Sequence, residues 1–202
     1  GGPSVDLALG TVITSTDASG CLTFNFKSDD SVQGTGWEAN VTCGTTPVVD
    51  AIVINEVDYD QVGADNGEFI EIYNAGTTSV DLSQYDLVTV NGSTGATTLV
   101  DLAGAPVTTL PAGAYFVICE DAAVVPNCDY VISLDLQNGA PDAVAIVAND
   151  DPTTVIDALS YEGDTGAPYS EGGGTTLADS NTTANIGISR GNDGVDTDDN
   201  AE

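Results

Sequence analysis

The sequence predicts an all-β chain built as a β-sandwich, and three observations carry that reading. Short apolar or alternating runs recur at close spacing. Turn chemistry separates them, as at Asn91-Gly92, Pro111-Ala112-Gly113, Asn138-Gly139 and Asn149-Asp150-Asp151-Pro152. No segment carries helical periodicity.

The chain is organised around Ala51–Gly76, AIVINEVDYDQVGADNGEFIEIYNAG. Ala51-Ile52-Val53-Ile54 is apolar at every position, the pattern of a strand covered on both faces. Asn55 and Glu56 end that run, and Phe69-Ile70-Glu71-Ile72-Tyr73 resumes as an alternating strand. The remaining expected strands are 85–90, 97–102, 114–119, 129–134, 143–147, 154–160 and 186–190. From Glu162 to Asn185 the composition turns to Gly, Thr, Ser and Asp, with Gly172-Gly173-Gly174, which predicts a long surface loop.

Charge is the extreme feature: 32 acidic residues stand against Lys27 and Arg190, for a net charge of −30. Such a chain repels nucleic-acid phosphates and anionic membrane surfaces alike. Self-repulsion on that scale also works against a compact state unless cations or salt screen it. At 41% hydrophobic content the 202 residues can still build a core, and no apolar run approaches the length of a spanning helix.

Catalysis has little to work with. The chain has no His, so a Ser-His-Asp arrangement is excluded and acid–base chemistry would fall to carboxylates. Paired carboxylates can cleave glycosides. That chemistry needs an aromatic-lined cleft, and the only Trp is Trp37, outside the long β-region. The expectation is a chain that is not an enzyme.

Metal binding is the sharper expectation. Glu56, Asp58, Asp60, Asp65 and Glu68 are held close together by the opening hairpin. With Asp193, Asp196 and Asp198 they form a candidate calcium (Ca2+) site, since hard cations take several carboxylate and carbonyl oxygens. The loop resembles the start of an EF-hand, but Val62 occupies the third ligand position and Phe69 the twelfth, so it is not one. The competing reading is two solvated acidic loops. Arg190 is the lone cation after the linker and is expected to pair with Glu71 or Glu56, whose carboxylates suit a bidentate guanidinium. Tyr59, Tyr161 and Tyr169, in or near loops, offer a contact surface.

The four cysteines fall into two local pairs, Cys21 with Cys43 and Cys119 with Cys128. Two disulfides and an oxidising compartment follow; zinc thiolates lack a His and a Cys-x-x-Cys spacing.

Two resemblances refine the domain picture. INEV, the acidic loop, EFIEIYN and VDLSQYDLV, then AGAYFVICED, PNCDYVI and ISRGNDGVDTDDNAE, are similar in order to the lamin tail domain of bacterial secreted proteins. That resemblance implies an immunoglobulin-like β-sandwich over 51–202, truncated at its C-terminal end because the family continues into a further strand. Residues 1–43, with GCLTFNFKSDDSVQGTGWEANVTC, resemble the second half of a CUB domain, and 44–50 make a linker. By that resemblance Cys21 and Cys43 match a CUB disulfide, and Asp29 a calcium ligand whose companions lie upstream of Gly1. The implied function is a non-catalytic structural or adhesive module of a larger exported, cell-surface or matrix protein. Its expected partners are other domains of its own polypeptide or neighbouring surface proteins, without nucleic acid or membrane insertion. Two alternatives stand beside it: a subunit of an extracellular filament completed by a neighbour's strand, and an accessory domain of a secreted hydrolase such as a nuclease.

Overall fold

A computed structural model describes residues 52–149, 151–183, 186–191 and 194–201. The chain divides into two compact units, 1–48 and 49–202, and all described residues belong to the second. Asp29, Cys21, Cys43 and Asp193 lie outside the described residues, as does the proposed 44–50 linker.

The second unit is all-β, as expected. Its strands are β1 (Ile52–Asp58), β2 (Phe69–Asn74), β3 (Val80–Asp81), β4 (Tyr85–Asn91), β5 (Ala96–Asp101) and β6 (Thr109–Leu110). They continue with β7 (Tyr115–Cys119), β8 (Tyr130–Val131), β9 (Asp142–Ala148), β10 (Asp151–Tyr161) and β11 (Ile188–Ser189). One sheet runs β11-β1-β2-β7-β8, a second runs β10-β9-β4-β5, and β3 pairs with β6. The expected strand 129–134 shrinks to two residues that pair parallel with β7, and 186–190 likewise contracts to Ile188–Ser189. Among the described residues a single 3-10 turn, Leu82–Gln84, follows β3, capped by Asp81, whose side chain accepts from the Ser83 amide.

The first strand does not stop at Ile54. It continues to Asp58 through a register shift between Ile54 and Glu56, a bulge that lets β1 absorb Asn55 without losing its pairing to β2. The apolar run therefore marks only the first half of β1; beyond the bulge Val57 returns to the core.

The core lies between the two main sheets. Ile52, Ile54, Val57, Ile70 and Ile72 of the first meet Leu87, Val100, Val144 and Ile146 of the second, with Leu82, Leu134 and Leu136 filling in from the connections. Burying such side chains contributes roughly 1.5–3 kcal/mol each. On β4, β9 and β10 a second cluster gathers Val88, Val90, Ala143, Ala145, Val147 and Ala158, with Val155 and Tyr169 against it. The aromatic contact surface expected from the sequence is thus overturned for two of its members. Tyr59 and Tyr161 are buried and stacked on each other with ring centroids 4.2 Å apart.

The stretch after β10 contains no strand among its described residues, yet it is not a free surface loop. The amide of Glu162 donates to Leu177 O, that of Gly163 to Thr175 O, and that of Thr175 back to Ser160 O. Backbone approaches so closely that a Cβ on Gly174 would lie 1.6 Å from Gly163 O. The glycine run is what permits this packing.

Candidate functional site

Two clusters of charged side chains bear on a site. The first is the acidic hairpin loop between β1 and β2. Gln61 organises it: its side-chain amide donates to Asp58 Oδ1, its carbonyl accepts from the Gly67 amide at 3.0 Å, and its own amide donates to Asp65 Oδ1 at 3.1 Å. Asn138 then donates to Asp65 Oδ2 at 2.7 Å and to Asp60 Oδ1 at 3.3 Å, tying the loop to the segment before β9. Glu68 accepts from the Leu136 amide at 3.3 Å.

Asp179, which the sequence reading did not single out, joins this region from the long connection. Its Oδ2 accepts from the amides of Tyr59 and Asp60 at 2.8 and 2.9 Å. Its own amide donates to the Tyr59 hydroxyl at 2.7 Å, and that hydroxyl donates to Glu162 at 2.6 Å. So the loop's carboxylates act as acceptors for backbone and side-chain amides. No three of Glu56, Asp58, Asp60, Asp65 and Glu68 converge on a common point within 4.8 Å, among the described residues. Glu56 neighbours Asp58 and adds to the rise of its carboxyl. It is directly opposite Glu71 across the β1–β2 pairing.

Burial raises several of these groups. Glu68 is pushed up to about 8, first by burial and then by Asp65. Asp58 is pushed up to about 6, again by burial first, with Asp179 adding to it. Glu56 is raised by burial and by Glu71.

The second place lies where β10, β11 and the C-terminal segment meet. Asp157 on β10 has a fully buried side chain, and Arg190 beside it is one-fifth exposed. Arg190 grips both Asp157 oxygens through Nη2, at 2.9 and 3.1 Å. It also donates through Nε to Ile54 O at 2.7 Å, and through Nη1 to Val195 O at 2.8 Å and Asp196 at 3.3 Å. Asp157 additionally accepts from the Ile54 amide. One guanidinium therefore joins β1, β10 and the C-terminal segment.

This corrects the expected ion pair. Arg190 does not pair with Glu71 or Glu56 but with Asp157 and Asp196. The physical reason is burial: a carboxylate removed from water needs a counter-charge far more than the half-buried Glu71, which accepts from Asn55 Nδ2 at 2.9 Å. Asp157 sits in a strand read only as apolar and alternating, so no short motif announced it.

Around Arg190, the oxygens of Asp157, Glu171 and Asp196 approach within 4.8 Å of one another. Glu171 accepts from the Ala158 amide at 3.0 Å and from Asn200 at 3.3 Å. Burial lifts it to about 7, with Asp157 and Asp196 adding to the shift. Burial also lifts Asp157 to about 6, against the opposing pull of Arg190. Asp196 is thus drawn away from the hairpin-loop carboxylates and into this cluster, while Asp198 is exposed and its amide donates to Asp196. A shallow groove of about 260 Å³ opens beside them, walled by Leu159, Leu177, Ile188 and Val195.

The pairing Cys119–Cys128 forms as expected, nine residues apart. It closes the turn between β7 and β8 and packs with Val117 and Val125.

A search of curated proteins finds no match to the chain. The family model of the lamin tail domain matches residues 45–164, more than half of the 202. The two packed, mostly antiparallel sheets, with one short 3-10 turn among the described residues, are the immunoglobulin-like architecture of that family, a non-enzymatic one. On that match and this fold, the chain belongs to the lamin tail domain family.

Proposed function

We propose that this chain is a non-catalytic structural module of a larger exported protein, displayed at the cell surface or in the extracellular matrix. The observation that supports it best is how the acidic residues are used. Asp60, Asp65 and Glu68 tie the hairpin loop to the segment before β9, Asp58 braces the loop internally, and the cation nearest the buried Asp157 is fully occupied in closing the sandwich. Catalytic carboxylates need an approach path and a partner poised to exchange a proton with substrate. These are spent on the fold.

Export is supported by the Cys119–Cys128 disulfide, since such bonds persist in oxidising compartments. A net charge of −30 on a folded chain also suits a setting rich in cations. Calcium belongs to this reading as a general counter-charge that favours the folded state, with no residue assigned as its ligand. The partners are neighbouring domains of the same polypeptide or adjacent surface proteins.

The test is thiol labelling of the protein isolated from its native source, alongside fractionation of the cells. The reading expects Cys119 and Cys128 to resist alkylation until reduced, and the protein to sit in the surface or extracellular fraction. Labelled thiols in material from the cytoplasm would refute it. A melt with and without chelator addresses calcium: an upward shift of several degrees with the ion supports the counter-charge, because binding to the native state alone stabilises it.

A further inference from the structure

Three Asn-x-Ser/Thr triplets with no Pro at the centre stand in the sequence: Asn40-Val41-Thr42, Asn91-Gly92-Ser93 and Asn181-Thr182-Thr183. Oligosaccharide transfer to asparagine reads this triplet, and it needs a surface segment that presents the side-chain amide together with the hydroxyl two residues on. The first triplet lies outside the described residues. The other two are built in opposite ways.

At the end of β4 the groups that transfer needs are turned inward. Asn91 Nδ2 donates to Gln137 Oε1 at 2.6 Å, tying β4 to the segment before β9. Asn91 Oδ1 accepts from the Ser93 hydroxyl at 2.7 Å and from the Thr94 amide at 3.1 Å, so the triplet's own hydroxyl is folded back on its Asn. Between them the Gly92 amide donates to the buried Asp142 at 2.9 Å. Backbone also closes in, since a Cβ on Gly92 would lie 2.1 Å from Pro141 O. This triplet is spent on its turn.

Asn181 is presented outward from an anchored base. Asp179 Oδ2 holds the amides of Tyr59 and Asp60, and its Oδ1 accepts from the Ser180 amide at 2.6 Å. Beyond that anchor Asn181, Thr182 and Thr183 are all exposed. The turn is held by Ser180, whose hydroxyl accepts from the Thr182 amide at 3.3 Å and pairs with the Thr182 hydroxyl at 3.1 Å. Neither bond uses the Asn181 side chain or the Thr183 hydroxyl. The Asn181 side chain donates to Asp60. An amide carries two N–H groups and keeps one when a sugar is attached, so that donation survives modification.

We propose that Asn181 is an N-glycosylation site and that Asn91 is not. The inference rests on the export reading, because the modification belongs to secreted chains. The sugar donor is a lipid-linked oligosaccharide. Asn181 Nδ2 loses a proton and bonds to the anomeric carbon, while the bond from that carbon to the lipid phosphate breaks and the phosphate leaves with its electron pair. The glycan then stands beside Asp60 as an uncharged, hydrated cover over the acidic loop.

The test is mass spectrometry of the full protein from its native source, digested with pepsin because Lys27 and Arg190 give trypsin too few cuts. Fragmentation that leaves the sugar attached assigns the residue. The expected result is a glycopeptide at Asn181 and a bare Asn91. Thr183→Ala, made in the same source, is expected to abolish the glycopeptide, and Thr183→Ser to retain it, which a merely structural role for Thr183 would not require. Bare Asn181 in surface material with the Cys119–Cys128 bond intact overturns the glycan and leaves export standing. Bare Asn181 in cytoplasmic material with free thiols overturns both. A glycan on Asn91 in place of Asn181 overturns the proposal as well.

Discussion

The hairpin loop and the β10 cluster are built from the same residue type and put it to opposite uses. In the loop, Asp60 and Asp65 reach water and Asp58 keeps 7% exposure against 0% for Asp157; all three are satisfied by Gln61 and Asn138, neutral amides that donate without altering the net charge. In the cluster, Asp157 is wholly buried, and neutral donors would leave its charge uncompensated in a dry interior. There the fold commits Arg190. Acidic side chains clustered in sequence need not share an ion, and the one that governs the fold is isolated in an apolar strand. What decides between the two uses is depth.

That contrast can be broken by substitution, and the largest effect is expected at Asp157. Asp157→Ala strands the Arg190 guanidinium and removes the acceptor of the Ile54 amide, a loss of about 3–5 kcal/mol typical of half a buried pair. Urea unfolding measures it. Asp65→Ala, in the loop, is expected to cost less than about 1 kcal/mol, since its partners are exposed and can turn to water. Equal costs at the two positions would erase the distinction.

Next is the disulfide, which belongs to neither region. Replacing Cys119 and Cys128 with Ser opens a short loop and is expected to cost about 2–3 kcal/mol, read as a lower urea midpoint without a change in slope. Tyr59→Phe follows at about 1–2 kcal/mol, because the Asp179 amide and Glu162 both lose their partner next to the loop.

Protons sharpen the comparison further. Glu68 at about 8, Glu171 at about 7, and Asp58 and Asp157 at about 6 all lie above the values those groups take in an unfolded chain. The folded state therefore holds more protons than the unfolded one. The stability these groups contribute is fully present below the unfolded values and is lost as pH rises through 6, 7 and 8. The melting temperature is expected to fall from pH 5 to pH 8.5, and Glu171→Gln or Glu68→Gln should flatten the decline. A melting temperature that climbs over that range would contradict the assignment.

Much of this fold was legible because β-periodicity is a local signal. Tyr85–Asn91, Ala96–Asp101 and Asp142–Ala148 match their expected spans within a residue at either end. Local chemistry also carried the Cys119–Cys128 pair, nine residues apart. The site was far less legible. The pairing of Asp157 with Arg190 spans 33 residues, and that of Tyr59 with Asp179 spans 120, so neither leaves a trace in spacing. Tyr161 falls just past the expected strand 154–160, in or near a loop, whereas it is the last residue of β10 and is buried in the core. Asn200 carries no motif of its own, yet its side chain donates to Ala158 O and accepts from the Ser160 amide. Its role depends on where β10 ends and on which backbone groups point outward there.

The most direct measurement is a pair of double-mutant cycles on unfolding free energy, one linking Arg190 to Asp157 and the other linking Arg190 to Glu71. Substituting Arg190→Met, Asp157→Asn and Glu71→Gln keeps side-chain volume nearly constant. The account predicts a coupling of roughly 2–3 kcal/mol between Arg190 and Asp157, and none beyond about 0.5 kcal/mol between Arg190 and Glu71. Equal couplings, or a larger one to Glu71, would contradict it.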